Sequence, residues 1–383
     1  MLSPFIVEQH QESKNLFLER YPANQVNRSL QAWDAADEYI ANYVTENQLL
    51  SSDSHIVIFN DNFGALAANF KDHQISSISD SIISTQGLLH NFEINHLPLE
   101  QLTCLTSLDP LPTNASIILY KIPKNKALLI EQLIKIKQTV AENTLFIAAD
   151  KAKNIQKSTL ALFEKYLGET TTSLAVKKAR LVFCQLNNEQ TYQIPAPVTW
   201  SLTSPKLSVS NLANVFAREK LDIGARHFIE HLGEVKKYKD IIDLGCGNGV
   251  VGLTILAQNP QAHITFVDES YMAVASAKLN VENNFPELLA QCRFITNDCL
   301  TDVESSSADA IYCNPPFHQQ NAVTDHIAWQ MFKDSYKVLR KNGELRIVGN
   351  RQLGYHIKMK RLFGNNQLIA SDNKFVTLSS LKK

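Results

Sequence analysis

Asp240 to Asn259 reads DIIDLGCGNGVVGLTILAQN, and this stretch decides the fold. The run DIIDL suits a buried strand, and VVGLTILAQN suits a helix that Pro260 stops. Between them Gly245, Gly247 and Gly249 let the backbone turn tightly and approach a ligand closely, with helix N–H groups facing it. Strand, glycine turn and helix in this order open a nucleotide-binding α/β unit. Two cofactors remain open at this point, because Gly247-Asn-Gly249-Val-Val-Gly252 also fits the dinucleotide fingerprint. In the nicotinamide reading the glycines contact a pyrophosphate. In the S-adenosylmethionine reading they make room for the methionine portion, and Asp243 sits near its cationic end.

Downstream, strands and helices alternate. HITFVD (263–268), CRFITND (292–298), DAIYC (309–313) and GELRIVGN (343–350) read as strands. YMAVASAKLNVENN (271–284) and residues 325–340 read as helices. This rhythm predicts a parallel sheet covered by helices on both faces. Asp268, ending its strand, is placed for ribose hydroxyls. Asp298 follows at the site of a third contact, where it either accepts from an adenine amine or is an ordinary helix N-cap or loop aspartate.

Asn314-Pro315-Pro316-Phe317 decides between the cofactors. Two consecutive prolines remove two backbone donors and stiffen the turn, leaving an array of acceptors. The Asn314 side-chain oxygen and the Pro315 carbonyl can each take a hydrogen from a planar NH₂ group, and Phe317 offers a face on which a base stacks. An exocyclic amine has its lone pair delocalised into the ring, so it must be held and aimed at a sulfonium methyl. Positioning then does most of the catalysis. Nicotinamide chemistry has no use for such a turn, so S-adenosylmethionine is the expected cofactor. No metal is expected.

The N-terminal half repeats the pattern in weakened form. HIVIFNDNFGALAANF (55–70) lies over DIIDLGCGNGVVGLTI, with Gly64 at the place of Gly249 and with Asn60 and Asn62 at those of Gly245 and Gly247. Further on, Asp80 pairs with Asp268, Pro123 with Pro315 and Ile122 with Asn314. Three ordered matches suggest an internal duplication whose first copy has lost its cofactor residues. LNNEQTYQIPAPVTWSLTSPK (186–206) reads as a linker running into a β-hairpin, and divides a first domain, 1–190, from a second, 191–383.

A chain of 383 residues, 44% hydrophobic and 20% charged, is long enough for two ordered domains. Its six cysteines show no CxxC spacing and read as free thiols of a reducing compartment. The N-terminus lacks the pattern of a signal peptide, and no apolar run approaches membrane-spanning length, so a cytoplasmic protein is expected. The net charge of −1 excludes nucleic-acid binding through overall basicity. It conceals asymmetry, however. Residues 1–120 carry 4 basic and 14 acidic side chains, 121–180 carry 12 and 5, and 333–383 carry 12 and 3. The basic stretches, among them KIPKNK, KAKNIQK and KKAR, are either solvated helix faces or a nucleic-acid surface.

DLGCGNG, FVDES, ND and NPPF, in this order, resemble the motifs of class I S-adenosylmethionine-dependent methyltransferases that modify guanine N2 in ribosomal RNA. From LQAWDAADEY through FNDNFGALA, LYKIPKNKALLIEQL and NVFAREKLDIGARHF to NPPFHQQ, the chain resembles the RlmG family, which methylates 23S ribosomal RNA. The RsmC family, acting on 16S RNA, shares the two-domain plan and NPPF. The resemblance implies an α/β fold of two doubly wound, Rossmann-like methyltransferase domains in tandem. The second is catalytic, and the first is degenerate and helps bind RNA. It implies catalytic roles for Asn314, Pro315, Pro316 and Phe317, and cofactor binding by Asp243, Gly245, Gly247, Gly249, Asp268 and Asp298. It also brings Phe216, Arg218 and Asp222 beside the pocket, and makes His318 a general-base candidate that the chemistry does not require. A duplicated domain lessens the need for a second subunit, so a monomer is expected. Two other readings stand beside this one. One is methylation of a protein glutamine or a DNA adenine, which Phe317 in place of tyrosine disfavours. The other is an RNA-binding protein with vestigial catalysis.

Overall fold

A computed structural model describes residues 1–9, 12–22, 30–187, 189–316 and 322–383, and the chain divides into two units, Met1–Pro195 and Ala196–Lys383. In the second unit Asp240–Leu244 forms the central strand, four of its five residues buried. It pairs in parallel with His263–Asp268 on one side and Ala308–Cys313 on the other. Cys292–Thr296 extends the first side. On the second side Leu339–Asn350 follows in parallel, and then Phe375–Leu381 and Gln367–Ser371 run antiparallel. Numbering these seven strands in chain order, the sheet runs 3-2-1-4-5-7-6.

The first unit has the same order. His55–Phe59 is central, flanked by Gln74–Ser79 and Leu102–Thr106 on one side. On the other lie Ile117–Lys121, Leu145–Lys151, Ala179–Cys184 and Thr170–Thr172. Two seven-stranded sheets with one non-obvious strand order, each following a short hairpin, make the duplication a property of the fold. The hairpins are Leu2–Gln9 with Glu12–Phe17, and Val198–Thr203 with Lys206–Asn211.

The repeat extends to single side chains. In the second unit Asn280 and Asn284, one turn apart on the helix Tyr271–Asn284, use their amides as if they were strand backbone. Asn280 accepts from Ser210 N (2.7 Å) and donates to Ser210 O (2.8 Å), and Asn284 does the same with Ser208 at 2.9 and 2.8 Å. Asn280 also donates to the Asn248 carbonyl in the glycine turn. In the first unit Asn91 and Asn95 hold Glu19 and Phe17 in this way, and Asn91 donates to the Phe63 carbonyl. Buried polar groups must be paired, so these asparagines fix each hairpin against its helix and its turn.

The register corrects three expected pairings by one residue each. His55 aligns with Asp240, and Gln74 with His263, so Ser79, not Asp80, stands at the place of Asp268. The capping geometry agrees. Ser81 and Ser270 each accept from the backbone of the helix they open. Ser79 Oγ accepts from Ser81 N as Asp268 Oδ1 accepts from Ser270 N. Likewise Ile56 pairs with Ile117 while Ile241 pairs with Ala310, which puts Lys121, not Ile122, at the place of Asn314, and Pro123 at that of Pro316. KIPK and CNPP align by sequence on their prolines, whereas strand hydrogen bonding sets the register.

All six cysteines are unbridged, and no helix among the described residues is long and apolar enough to cross a membrane.

Candidate active site

In the second unit strands 1 and 4 are neighbours, and their connections leave on opposite faces of the sheet. A crevice opens outside their carboxyl ends, which is where open α/β sheets take ligands. The glycine turn follows strand 1 and the Asn-Pro-Pro turn follows strand 4, so the topology brings the two motifs together. A Cβ added at Gly245 would lie 3.3 Å from the Asn314 carbonyl oxygen.

Gly245, Gly247 and Gly249 have φ of 72°, 54° and 81°, the left-handed region in which side chains are strained. Their surroundings differ. A Cβ at Gly249 would press on Ala277 at 3.0 Å, whereas one at Gly247 would meet nothing within 4 Å. Gly249 is therefore needed for packing, and Gly247 faces open space. Gly252 sits so close to Phe266 that an added Cβ would fall 2.2 Å from the ring, so this glycine serves helix–sheet packing.

The carboxylates hold the turn. Asp243 is buried and accepts from Gly252 N at 2.8 Å, and burial pushes its carboxyl up to about 8. Asp268 Oδ2 accepts from Gly247 N at 2.9 Å. Its Oδ1 accepts from Ser270 N at 3.1 Å, so Asp268 joins the glycine turn to the start of the next helix. Asn297 N donates to the Asp268 carbonyl at 2.9 Å, which draws the next loop in and brings Asp298 to the same end of the sheet. Asp298 is buried and, among the described residues, caps no helix.

Asn314 Oδ1 is buried and has no hydrogen-bond partner among the described residues. An orphaned buried acceptor costs roughly 1–3 kcal/mol, so its retention points to a donor that arrives with a ligand. Pro315 is buried and Pro316 half-buried. Phe317 and His318 lie outside the described residues.

The flanking candidates fare differently. Asp222 caps the helix Ile223–Ile229, accepting from Ala225 N at 3.0 Å. Arg218 pairs with Glu219 and leaves its Nε buried without a partner among the described residues, while Phe216 is exposed. Two supports escaped the sequence reading. Asn248 donates to Asn211 Oδ1 at 2.9 Å and accepts from Val250 N, tying the glycine turn to the hairpin. Phe294 stacks on Phe266 with centroids 5.2 Å apart. A polar residue between the motif glycines was the only available signal for the first.

The equivalent place in the first unit is filled by the chain itself. Asn60, at the position of Gly245, keeps the left-handed backbone (φ 61°), which asparagine tolerates better than most residues. Its amide donates to the Lys121 carbonyl and exchanges hydrogen bonds with Gln132. The Asp61 carboxylate accepts from Ala65, Leu66 and Ala67 N, each at 3.0 Å, so the helix N-terminus is capped from within. Ser79 lacks the carboxylate of Asp268. The Lys121 ammonium, where Asn314 would be, is held by Asp34 and Asp37.

Residues 7–188 match the RLMG N-terminal domain and 206–379 the methyltransferase small domain. A ribosomal RNA large subunit methyltransferase G from Colwellia psychrerythraea is 59% identical, with both chains covered completely. The chain belongs to that family. Other relatives bearing the same name, from Pseudoalteromonas atlantica and Klebsiella pneumoniae, are 51% and 49% identical over 95% of this chain and 96% of their own. Among solved structures, the 16S rRNA N2 methyltransferase RsmC of T. thermophilus, in complex with AdoMet and guanosine, superposes with a TM-score of 0.76 at 16% identity. It covers 96% of this chain and 95% of its own, and at that identity the match speaks for the fold.

Proposed function

We infer that this chain transfers the methyl group of S-adenosylmethionine to the exocyclic N2 amine of a guanine in 23S ribosomal RNA. The observation that carries the chemistry is the unpartnered Asn314 Oδ1 at the crevice where the glycine turn and the Asn-Pro-Pro turn meet. Large-subunit RNA as the substrate rests on the family, whose members are named for it. Guanine N2 rests on the acceptor chemistry of that turn.

The second unit fits the cofactor. Gly247 leaves room, the Asp268 carboxylate stands beside that room on the Gly247 amide and is the group for the ribose hydroxyls, and Asp243 and Asp298 supply buried carboxyls at the same edge. When bound, S-adenosylmethionine supplies an electrophilic methyl on a sulfonium. The protein holds the nucleophile: Asn314 Oδ1 takes one amine hydrogen and the Pro315 carbonyl the other, which turns the nitrogen lone pair towards the methyl. No basic side chain is required, because the nitrogen becomes acidic once methylated and releases its proton to water. A guanine in paired RNA must first be extruded, at a cost of a few kcal/mol that backbone contacts offset.

Asp268→Ala is expected to weaken S-adenosylmethionine binding roughly 10- to 100-fold, the equivalent of one or two charge-assisted hydrogen bonds. Calorimetric titration of the purified variant measures this, and an unaltered dissociation constant refutes the ribose assignment. The function itself is tested by mass spectrometry of 23S and 16S RNA from cells lacking this protein. Loss of one N2-methylguanosine from 23S RNA alone is expected, and restored in vitro by the purified chain. Loss from 16S RNA instead, or transfer of labelled methyl only to protein or DNA, overturns the reading.

A further inference from the structure

The first unit has lost the cofactor end of its ancestral site, but its other end remains open. At the carboxyl ends of Ile117–Lys121 and Leu145–Lys151 lies a cavity of about 300 Å³. Its apolar surface comes from Ile122, Pro123, Leu129 and Leu162. By strand register Ile122 and Pro123 stand at the places of Pro315 and Pro316, the turn that in the second unit receives the target base. The cavity therefore corresponds to the substrate side of the site, and its volume is at the lower end of the range for small-molecule pockets, suited to one nucleotide rather than to a cofactor as well.

Basic side chains gather beside this cavity. Lys124 and Lys126 line it, and Lys151, Lys153 and Lys157 flank its wall residues Asp150, Asn154 and Gln156. All five are exposed, and none has an ion-pair partner among the described residues. Three other lysines of the basic stretch are ion-paired, Lys121 to Asp34 and Asp37, Lys135 to Glu131, and Lys177 to Glu38, whereas Lys165 and Lys178 are exposed and, among the described residues, have no ion-pair partner. Of the cavity's own acid, Asp150, one oxygen accepts from Lys151 N and the other from Asn154 Nδ2. Two lysines on the wall of a hollow that mixes apolar with polar side chains, and three more exposed lysines on the segment 151–157 that forms another wall, suit a polyanion that also carries flat groups with hydrogen-bonding edges. Single-stranded RNA has that chemistry, with phosphates for the lysines and a base for the hollow.

We propose that the degenerate unit retains the nucleotide-binding half of its lost active site, and that this cavity holds one unstacked nucleotide of the ribosomal RNA while the five lysines bind the adjoining phosphates. It rests on the reading of the chain as an rRNA methyltransferase and gives the degenerate unit a specific RNA contact, one nucleotide that is held but never methylated.

The test uses the full chain and protein-free 23S RNA. The combined substitution Lys124→Ala, Lys126→Ala, Lys153→Ala and Lys157→Ala is expected to weaken RNA binding at least 10-fold near physiological salt. It should also reduce the slope of log K against log salt by about 3, at roughly 0.7 per single-strand phosphate contact. Leu162→Trp, which fills the hollow, should weaken binding without changing that slope. Ultraviolet cross-linking of 4-thiouridine RNA should label peptides spanning 122–129 or 150–162. The titration of S-adenosylmethionine on each variant reports whether the catalytic unit is intact. Wild-type affinity and slope in the lysine variant, with cross-links confined to other peptides, overturn the proposal. If the unsubstituted chain neither binds nor methylates the RNA, the functional reading fails with it.

Discussion

Asn314→Ala is expected to lower kcat for methyl transfer by about 100- to 1,000-fold, the range seen when a single preorganised polar contact to the reacting group is removed. The dissociation constant for S-adenosylmethionine should stay within about 2-fold of its original value. The asymmetry follows from what the side chain does. Its Oδ1 is buried and satisfied by nothing among the described residues, so its partner arrives with the substrate. The carboxyls proposed for the cofactor belong to strands 1 and 2 and the loop after strand 3. Alanine removes the acceptor and also the penalty of an orphaned oxygen, so the folded protein should be no less stable in thermal denaturation. Single-turnover rates with saturating RNA measure the chemical step directly. An unchanged rate eliminates the proposed role of the turn. A rate loss accompanied by loss of cofactor affinity would assign Asn314 to the cofactor instead.

Lys121→Met is expected to destabilise the first unit by about 3 kcal/mol, chiefly the cost of leaving the buried Asp37 carboxylate without its cation, since Asp34 is 41% exposed and its share is screened by solvent. Lys121 is 13% exposed and lies between Asp34 and Asp37, with Asp37 9% exposed. The ammonium draws the Asp34 carboxyl below its usual range, whereas burial drives that of Asp37 up. Asp61 is buried nearby, its carboxyl also raised by burial and by Asp37. Methionine keeps the length of the stem and deletes the charge, so the loss reports electrostatics rather than a cavity. Urea denaturation followed by the first unit's tryptophan, Trp33, measures it. The triple variant Lys121→Met, Asp34→Asn, Asp37→Asn should recover most of the loss, because it removes the charges together. If Lys121→Met alone is neutral, the cluster does not hold the unit, and the cation that stands where Asn314 would be has some other use.

Much of the catalytic unit was legible in the sequence because the relevant physics is local. A glycine at positive φ, a proline that ends a helix and an apolar run between turns act over a few residues. DIIDLGCGNG and NPP accordingly named the strand ends on which the site is built. The degenerate unit was harder to read. Two of its three motif glycines are replaced, so only prolines and aspartates of unrelated register remain to match, one residue away from Ser79 and Lys121. The basic stretch 121–126 looked uniform, yet Lys121 is an internal ion pair while Lys124 and Lys126 face solvent.

The sequence by itself determined the strand–turn–helix order, the pair of motifs and the presence of two related halves. All of these follow from residue type and spacing along the chain. The tertiary structure alone decided which residues replace one another between the halves, because strand register is set by hydrogen bonds between segments far apart in sequence. It also revealed Asn91, Asn95, Asn280 and Asn284 as paired clamps on the hairpins, since an asparagine one turn from another is unremarkable until its partner strand is in place. Finally, it separated a cofactor crevice that stays open from one that Lys121, Asp34, Asp37 and Asp61 close, a distinction that depends on which charges meet in space.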